Sequence, residues 1–280
     1  MTRSVGLRWA LILLTVLSEG LLASEASLLL SGPQVQGGLV VGRTEPGSQV
    51  RLDGRPIKVS DQGVFLLGFG RDAGEHAALD VTYPDGTLQR HSLNIEPRQY
   101  RIQRIDGLPP RKVIPSEKDL ERIRRENSLV HKARARLDER TDFLQGFIWP
   151  AHGRISGVYG SQRILNGQPR RPHFGVDIAG PIGKAVVAPA AGIVTLTHND
   201  MFFSGGTLII DHGLGLSSSF LHLSRILVRE GERVERGDRI AEIGATGRAS
   251  GPHLDWRMNV LNVRIDPQLL VGEMPAAAER

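Results

Sequence analysis

Three short stretches of this 280-residue chain carry side chains from which a hydrolytic centre can be assembled. Pro172-His173-Phe174-Gly175-Val176-Asp177 supplies an imidazole and a carboxylate four residues apart. Phe220-Leu221-His222-Leu223 sets a histidine in an apolar, strand-like run. Gly251-Pro252-His253-Leu254-Asp255-Trp256 spaces a histidine and a carboxylate by two. Residues two apart on a strand project from one face, so His253 and Asp255 can address a common site. Imidazole and carboxylate both suit zinc, and a catalytic zinc keeps one position open for water. Each fragment alone also has a plain structural reading. His222 can be a hydrogen-bonded core histidine, a His-x-x-x-Asp pair arises by chance, and Asp255 can cap a strand or pair with Arg257.

Other chemistries are excluded more directly. The chain has no cysteine, which removes disulfides, thiolate metal sites and cysteine nucleophiles. No Gly-x-Ser-x-Gly elbow is present for a serine hydrolase. The net charge of +5 is not interleaved with aromatics, which make up 5% of the residues, so nucleic acid is not an expected partner. Residues 228–244 resemble part of a biotinyl or lipoyl carrier, but the last lysine is Lys184, so no modifiable lysine follows.

The elements that must position these groups form a mainly β chain. Arg3 and Arg8 precede an apolar run from Ala10 to Leu17, and Ala23 follows. This is the pattern of a secretory signal peptide over 1–23, too short to span a bilayer, so the mature chain is expected to be exported without a transmembrane span. Residues 28–104 alternate short strand patterns with turns such as Asp53-Gly54 and Pro84-Asp85-Gly86, which predicts an immunoglobulin-like β-sandwich. A linker over 109–146 begins at Pro109-Pro110. Ser116 and Asp119 form a capping-box pattern there, and Leu120, Ile123, Val130, Ala133 and Leu137 recur at helical spacing. Residues 147–272 are glycine-rich, without helix–strand alternation, which predicts an antiparallel β domain holding the chemistry.

The three stretches and their surroundings resemble the lysostaphin-like (LytM-type) zinc endopeptidases across 147–267. The resemblance includes Asn166-Gly167-Gln168-Pro169-Arg170 before His173, and Gly175-Val176-Asp177-Ile178-Ala179 followed by Pro181. It continues through Asp211-His212-Gly213, His222-Leu223-Ser224, the run 231–238 and the run 244–254. The resemblance implies a peptidase domain with one zinc per chain, held by His173 and Asp177. His222 and His253 would then orient or deprotonate the attacking water. The family's third ligand is a histidine at the position of Asp255. An aspartate oxygen lies one bond beyond Cγ, like imidazole Nδ1, so Asp255 has similar reach. One histidine and two carboxylates would cancel the zinc charge and raise the pKa of its water, which implies a more alkaline optimum. The family's tyrosine two residues before His222 is replaced by Phe220. Asn166, in the loop before His173, is expected to contact substrate.

The function implied is an exported zinc endopeptidase that cuts peptide cross-links in bacterial peptidoglycan, in the periplasm if the source is Gram-negative. Its binding partners would be the stem peptides. The alternative implied is a degenerate relative that regulates other cell-wall hydrolases.

Overall fold

The alternating segments become strands where one face can be buried, and the turn residues become the bends between them. The structure, a computed structural model, describes residues 28–275; the leader expected at 1–23 lies outside the described residues. The N-terminal module contains β1 (Leu29–Ser31), β2 (Leu39–Arg43), β3 (Gln49–Leu52), β4 (Arg55–Ile57), β5 (Val64–Gly68), β6 (His76–Thr82) and β7 (Leu88–Asn94). They form two sheets, ordered β1-β2-β5 and β4-β3-β6-β7. Period-two burial on β6 turns Ala77, Leu79 and Val81 inward, against Val40, Phe65 and Leu67 of the other sheet. The opposite face of β5 does not meet solvent. Val64 and Leu66, with Leu39, share a core with Val260 and Ile265 near the C-terminus. An ion pair between Arg98 and Asp266 (2.9 Å) reinforces that junction.

The linker is held along its length. β8 (Ile102–Ile105) precedes it, and it contains α1 (Pro110–Val113) followed by α2 (Glu117–Arg134). Ser116 and Asp119 satisfy each other's backbone N–H groups in the predicted capping box, and Arg111 Nε donates to Asp119 at 2.7 Å. Val130 and Ala133 pack on Leu196, Met201 and Ile209. Leu137, expected on the same stripe, lies past the end of α2 and is exposed, because the helix stops at Arg134.

The C-terminal domain contains β9 (Ile155–Gly157), β10 (Gln162–Leu165), β11 (Gln168–Pro169), β12 (Val176–Ala179), β13 (Ala185–Val187) and β14 (Gly192–Met201). It continues with β15 (Gly205–Asp211), β16 (Leu216–Ile226), β17 (Arg233–Val234), β18 (Arg239–Ile243), β19 (His253–Val260), β20 (Val263–Ile265) and α3 (Gln268–Val271). The main sheet runs β17-β14-β15-β16-β19-β12-β9, with β13, β18 and β20 attached, and its pairs are antiparallel. One parallel pair departs from this pattern: β8, just ahead of the linker, lies beside β10, from Ile102↔Gln162 to Ile105↔Leu165. Val176, Ile178, Leu254, Trp256 and Met258 turn to the apolar side of the sheet, so their alternate neighbours face the other way.

His212 ties this domain together from inside. Its Nδ1–H donates to the Ala191 carbonyl (2.7 Å), and Nε2 accepts from the Ser218 hydroxyl (2.7 Å). Burial drives its pKa from 6.5 down to about 4. Between those values the unfolded chain binds the proton and the folded chain does not, so stability falls as pH drops through this window. The total for one such group is about 3 kcal/mol. Urea unfolding of wild type at pH 7 and pH 4.5 should register this loss, and His212→Gln should lose measurably less. Equal losses in the two proteins would show that His212 does not carry the dependence.

Candidate metal and catalytic site

The pairing of β12 with β19 brings the predicted groups together. Asp177 stands directly opposite Asp255, and Ala179 opposite His253. Like charges placed directly opposite on adjacent strands repel each other. Their juxtaposition calls for positive charge between or behind them. His173, just before β12, joins them. One ligand atom from each of His173, Asp177 and Asp255 lies within 4.8 Å of the others. All three residues are buried, Asp255 completely.

Hydrogen bonding within this trio is incomplete in a telling way. His173 Nε2 and Asp177 Oδ1 are 3.1 Å apart, yet neither of them, nor His173 Nδ1, has an aligned hydrogen-bond partner. Buried polar groups are almost always bonded, so His173 Nε2 and Asp177 Oδ1, close together without an aligned bond, mark a place where a ligand belongs. One nitrogen and two carboxylate oxygens form a donor set that suits zinc.

Each carboxylate also has an arginine behind it. Arg257 donates to both oxygens of Asp255, Nε to Oδ1 at 2.9 Å and Nη2 to Oδ2 at 2.5 Å. Arg163 Nη2 donates to Asp177 Oδ2 at 2.5 Å. Burial pushes both carboxyls upward, but Arg257 and His173 hold Asp255 well below the usual carboxylate range. His173 and Arg163 likewise keep Asp177 below it. The two guanidinium groups also change the charge expected from the sequence. The trio alone is an anionic group, whereas Arg163 and Arg257 add two positive charges against it, which works against the charge argument for an alkaline optimum.

Two glycines make room for these pairs. A Cβ on Gly157 of β9 would sit 2.2 Å from Asp177 Oδ2. A Cβ on Gly175 would sit 2.6 Å from Asp255 Oδ1 and 2.6 Å from Arg257 Cγ. Any side chain at either position would displace a carboxylate of the trio.

His222 and His253 lie beside the trio with their rings 4.7 Å apart. His222 has a φ of +65°, in the left-handed region that non-glycine residues seldom adopt, where the β15–β16 register shifts. Its Nδ1–H donates to the Thr246 carbonyl (2.8 Å), which leaves Nε2 bare. Burial lowers its pKa to about 4, so the imidazole is neutral at pH 7. His253 Nδ1–H donates to the Gly251 carbonyl (2.7 Å), and its Nε2 is 3.8 Å from Asp177 Oδ1. Both rings therefore have the tautomer that presents Nε2 as a proton acceptor. Phe220, where the family has tyrosine, is wholly buried opposite Trp256.

Asn166 is placed apart from this group. Its side-chain oxygen accepts from Leu108 N–H (3.1 Å), and its amide donates to the Leu108 carbonyl (2.7 Å). The carboxamide expected at the substrate is thus occupied by the linker main chain. Leu108 in turn helps wall a cavity of about 110 Å³ that opens beside Asp177 and His253. Sequence reasoning missed Arg163 and Gly157, which have no spacing signal. It named Arg257 only as a possible partner of Asp255.

Comparison with known proteins gives concordant results. The family model described as Peptidase family M23 matches residues 171–267. A solved M23 peptidase structure from Pseudomonas aeruginosa is 30% identical with a TM-score of 0.64, covering 85% of this chain and 95% of that one. Peptidoglycan DD-endopeptidase ShyA of Vibrio cholerae is 41% identical over 108 residues, which are 38% of this chain and 25% of that protein. Murein hydrolase activator NlpD of Escherichia coli is 34% identical over 102 residues, 36% of this chain and 25% of that protein. The chain thus spans about a quarter of the length of these two curated relatives. Among the described residues, no helix is long and apolar enough to cross a membrane.

Proposed function

Because the chain belongs to peptidase family M23, we propose that it is a zinc endopeptidase that hydrolyses peptide cross-links between peptidoglycan stem peptides. The observation that carries this reading is the convergence of His173, Asp177 and Asp255 with three buried, unbonded atoms among them. These residues would hold one zinc, which when bound polarises the scissile carbonyl and makes water acidic enough to attack near neutral pH. His253 Nε2 takes the proton of the attacking water and delivers it to the leaving amine. His222, neutral and fixed by Thr246, keeps Nε2 beside His253 and donates no competing charge. Asn166 contributes to substrate binding indirectly, by clamping Leu108 in the cavity wall. Export to the cell envelope belongs to the same proposal, supported by the leader-like segment over 1–23 and by the peptidoglycan-linked names of the relatives.

One observation favours a second reading, a non-hydrolytic activator of other murein hydrolases. Arg163 and Arg257 already supply cations to both carboxylates, and NlpD is among the relatives. Digestion of defined cross-linked muropeptides, followed by mass spectrometry, separates the two readings. The zinc-loaded wild type should split the cross-link peptide, and His253→Ala should be slower by about 10²–10⁴-fold, the usual contribution of a general base. Intact muropeptides after incubation with fully zinc-loaded wild type would favour the activator.

A further inference from the structure

We infer that Arg248, together with Arg163, forms a binding site for a free carboxylate on the substrate residue that flanks the scissile amide; this rests on the endopeptidase reading above. The cavity of about 110 Å³ shares Asp177 and His253 with the reaction centre, so whatever fills it lies next to the bond being cut. Its charged and hydroxyl-bearing lining comprises Arg163, Arg248, Asp177, Ser156 and Ser250, with Asp177 already paired to Arg163. Ile105, Leu108 and Leu165 form the apolar remainder. An aliphatic stem ending in a carboxylate is complementary to that mixed lining.

The two arginines are not equivalent. Arg163 is committed to Asp177 and also donates through Nε to Gln103 at 3.3 Å. Arg248 has no carboxylate within ion-pair distance among the described residues. Its guanidinium stacks 4.4 Å from the Phe203 ring centre, and Nη1 donates to the Lys112 carbonyl at 3.2 Å. Stacking fixes the plane of the fork, and one carbonyl leaves most of its five N–H donors free. Burial, followed by repulsion from Arg163, Arg257 and Arg170, lowers Arg248 to about 10. A carboxylate arriving here would relieve that repulsion and accept charge-assisted hydrogen bonds. The site therefore selects acidic stem peptides over cross-bridges that lack a carboxylate.

The test uses two synthetic cross-link peptides, identical except that the residue flanking the scissile amide bears a carboxylate in one and a carboxamide in the other. With the zinc-loaded full chain, kcat/KM for the acid should exceed that for the amide at least tenfold, mainly through KM. In Arg248→Gln that ratio should fall towards one, and Arg248→Lys should restore part of it. A wild-type ratio near one, or an undiminished ratio in Arg248→Gln, overturns the inference. If wild type cleaves neither peptide, the hydrolase reading fails separately, and calorimetric binding of the same pair decides the carboxylate site. Binding of the acid at least tenfold tighter than the amide to wild type, with the preference lost in Arg248→Gln, supports it; equal binding overturns it.

Discussion

Arg257→Met should destabilise the metal-free protein by about 3–5 kcal/mol, the penalty for leaving a buried charge without its partner. Asp255 has no exposed surface, and both of its oxygens accept from Arg257. Methionine fills similar space but donates nothing, so the ionised carboxylate would face His173, His222 and Asp177 alone. Asp255→Asn/Arg257→Met should recover part of the loss, since an amide can stay neutral where a carboxylate cannot. Urea unfolding of the four proteins of this cycle, in chelator, measures the coupling. A loss below about 1 kcal/mol in Arg257→Met would mean that the pair is screened and contributes as little as a surface bridge.

His173→Ala should bring zinc content from one per chain to below a tenth and reduce hydrolysis by at least about 10⁴-fold, given the several kcal/mol that a Lewis-acid metal supplies. Two carboxylates already tied to arginines are a poor remnant of a three-ligand site. The metal-free chain should also lose stability, because His173 stands 3.1 Å from Asp177 and helps hold both buried carboxylates in their ionised form. Zinc analysis, muropeptide kinetics and unfolding in chelator check the three parts. A variant that keeps full zinc occupancy would remove His173 from the ligand set.

The family and the mainly β architecture were legible because the motifs around His173, His222 and His253 carry both identity and order. The capping box at Ser116–Asp119 was equally readable, since it is a purely local pattern. The end of α2 was not. Leu137 continues the apolar spacing, but tertiary contacts with Leu196 and Ile209 involve Val130 and Ala133 and stop there. Period-two spacing placed His253 and Asp255 on one face, and the same rule extends to Arg257, two residues further on. The sequence could not convey what arrives from other strands. Arg163 reaches Asp177 from β10, and Gly157 matters only because β9 lies against β12. Asn166 illustrates the same limit. Its loop position suggested a substrate contact, whereas the parallel pairing of β8 with β10 brings Leu108 to it first.

Anomalous diffraction at the zinc edge, from crystals of the zinc-loaded full chain, tests the ligand assignment directly. One peak is expected, about 2.0–2.2 Å from a nitrogen of His173 and from one carboxylate oxygen each of Asp177 and Asp255. Arg257 should still hold Asp255 from behind in those crystals. A peak coordinated by His222 or His253 in place of Asp255, or no peak at this position under saturating zinc, would contradict it.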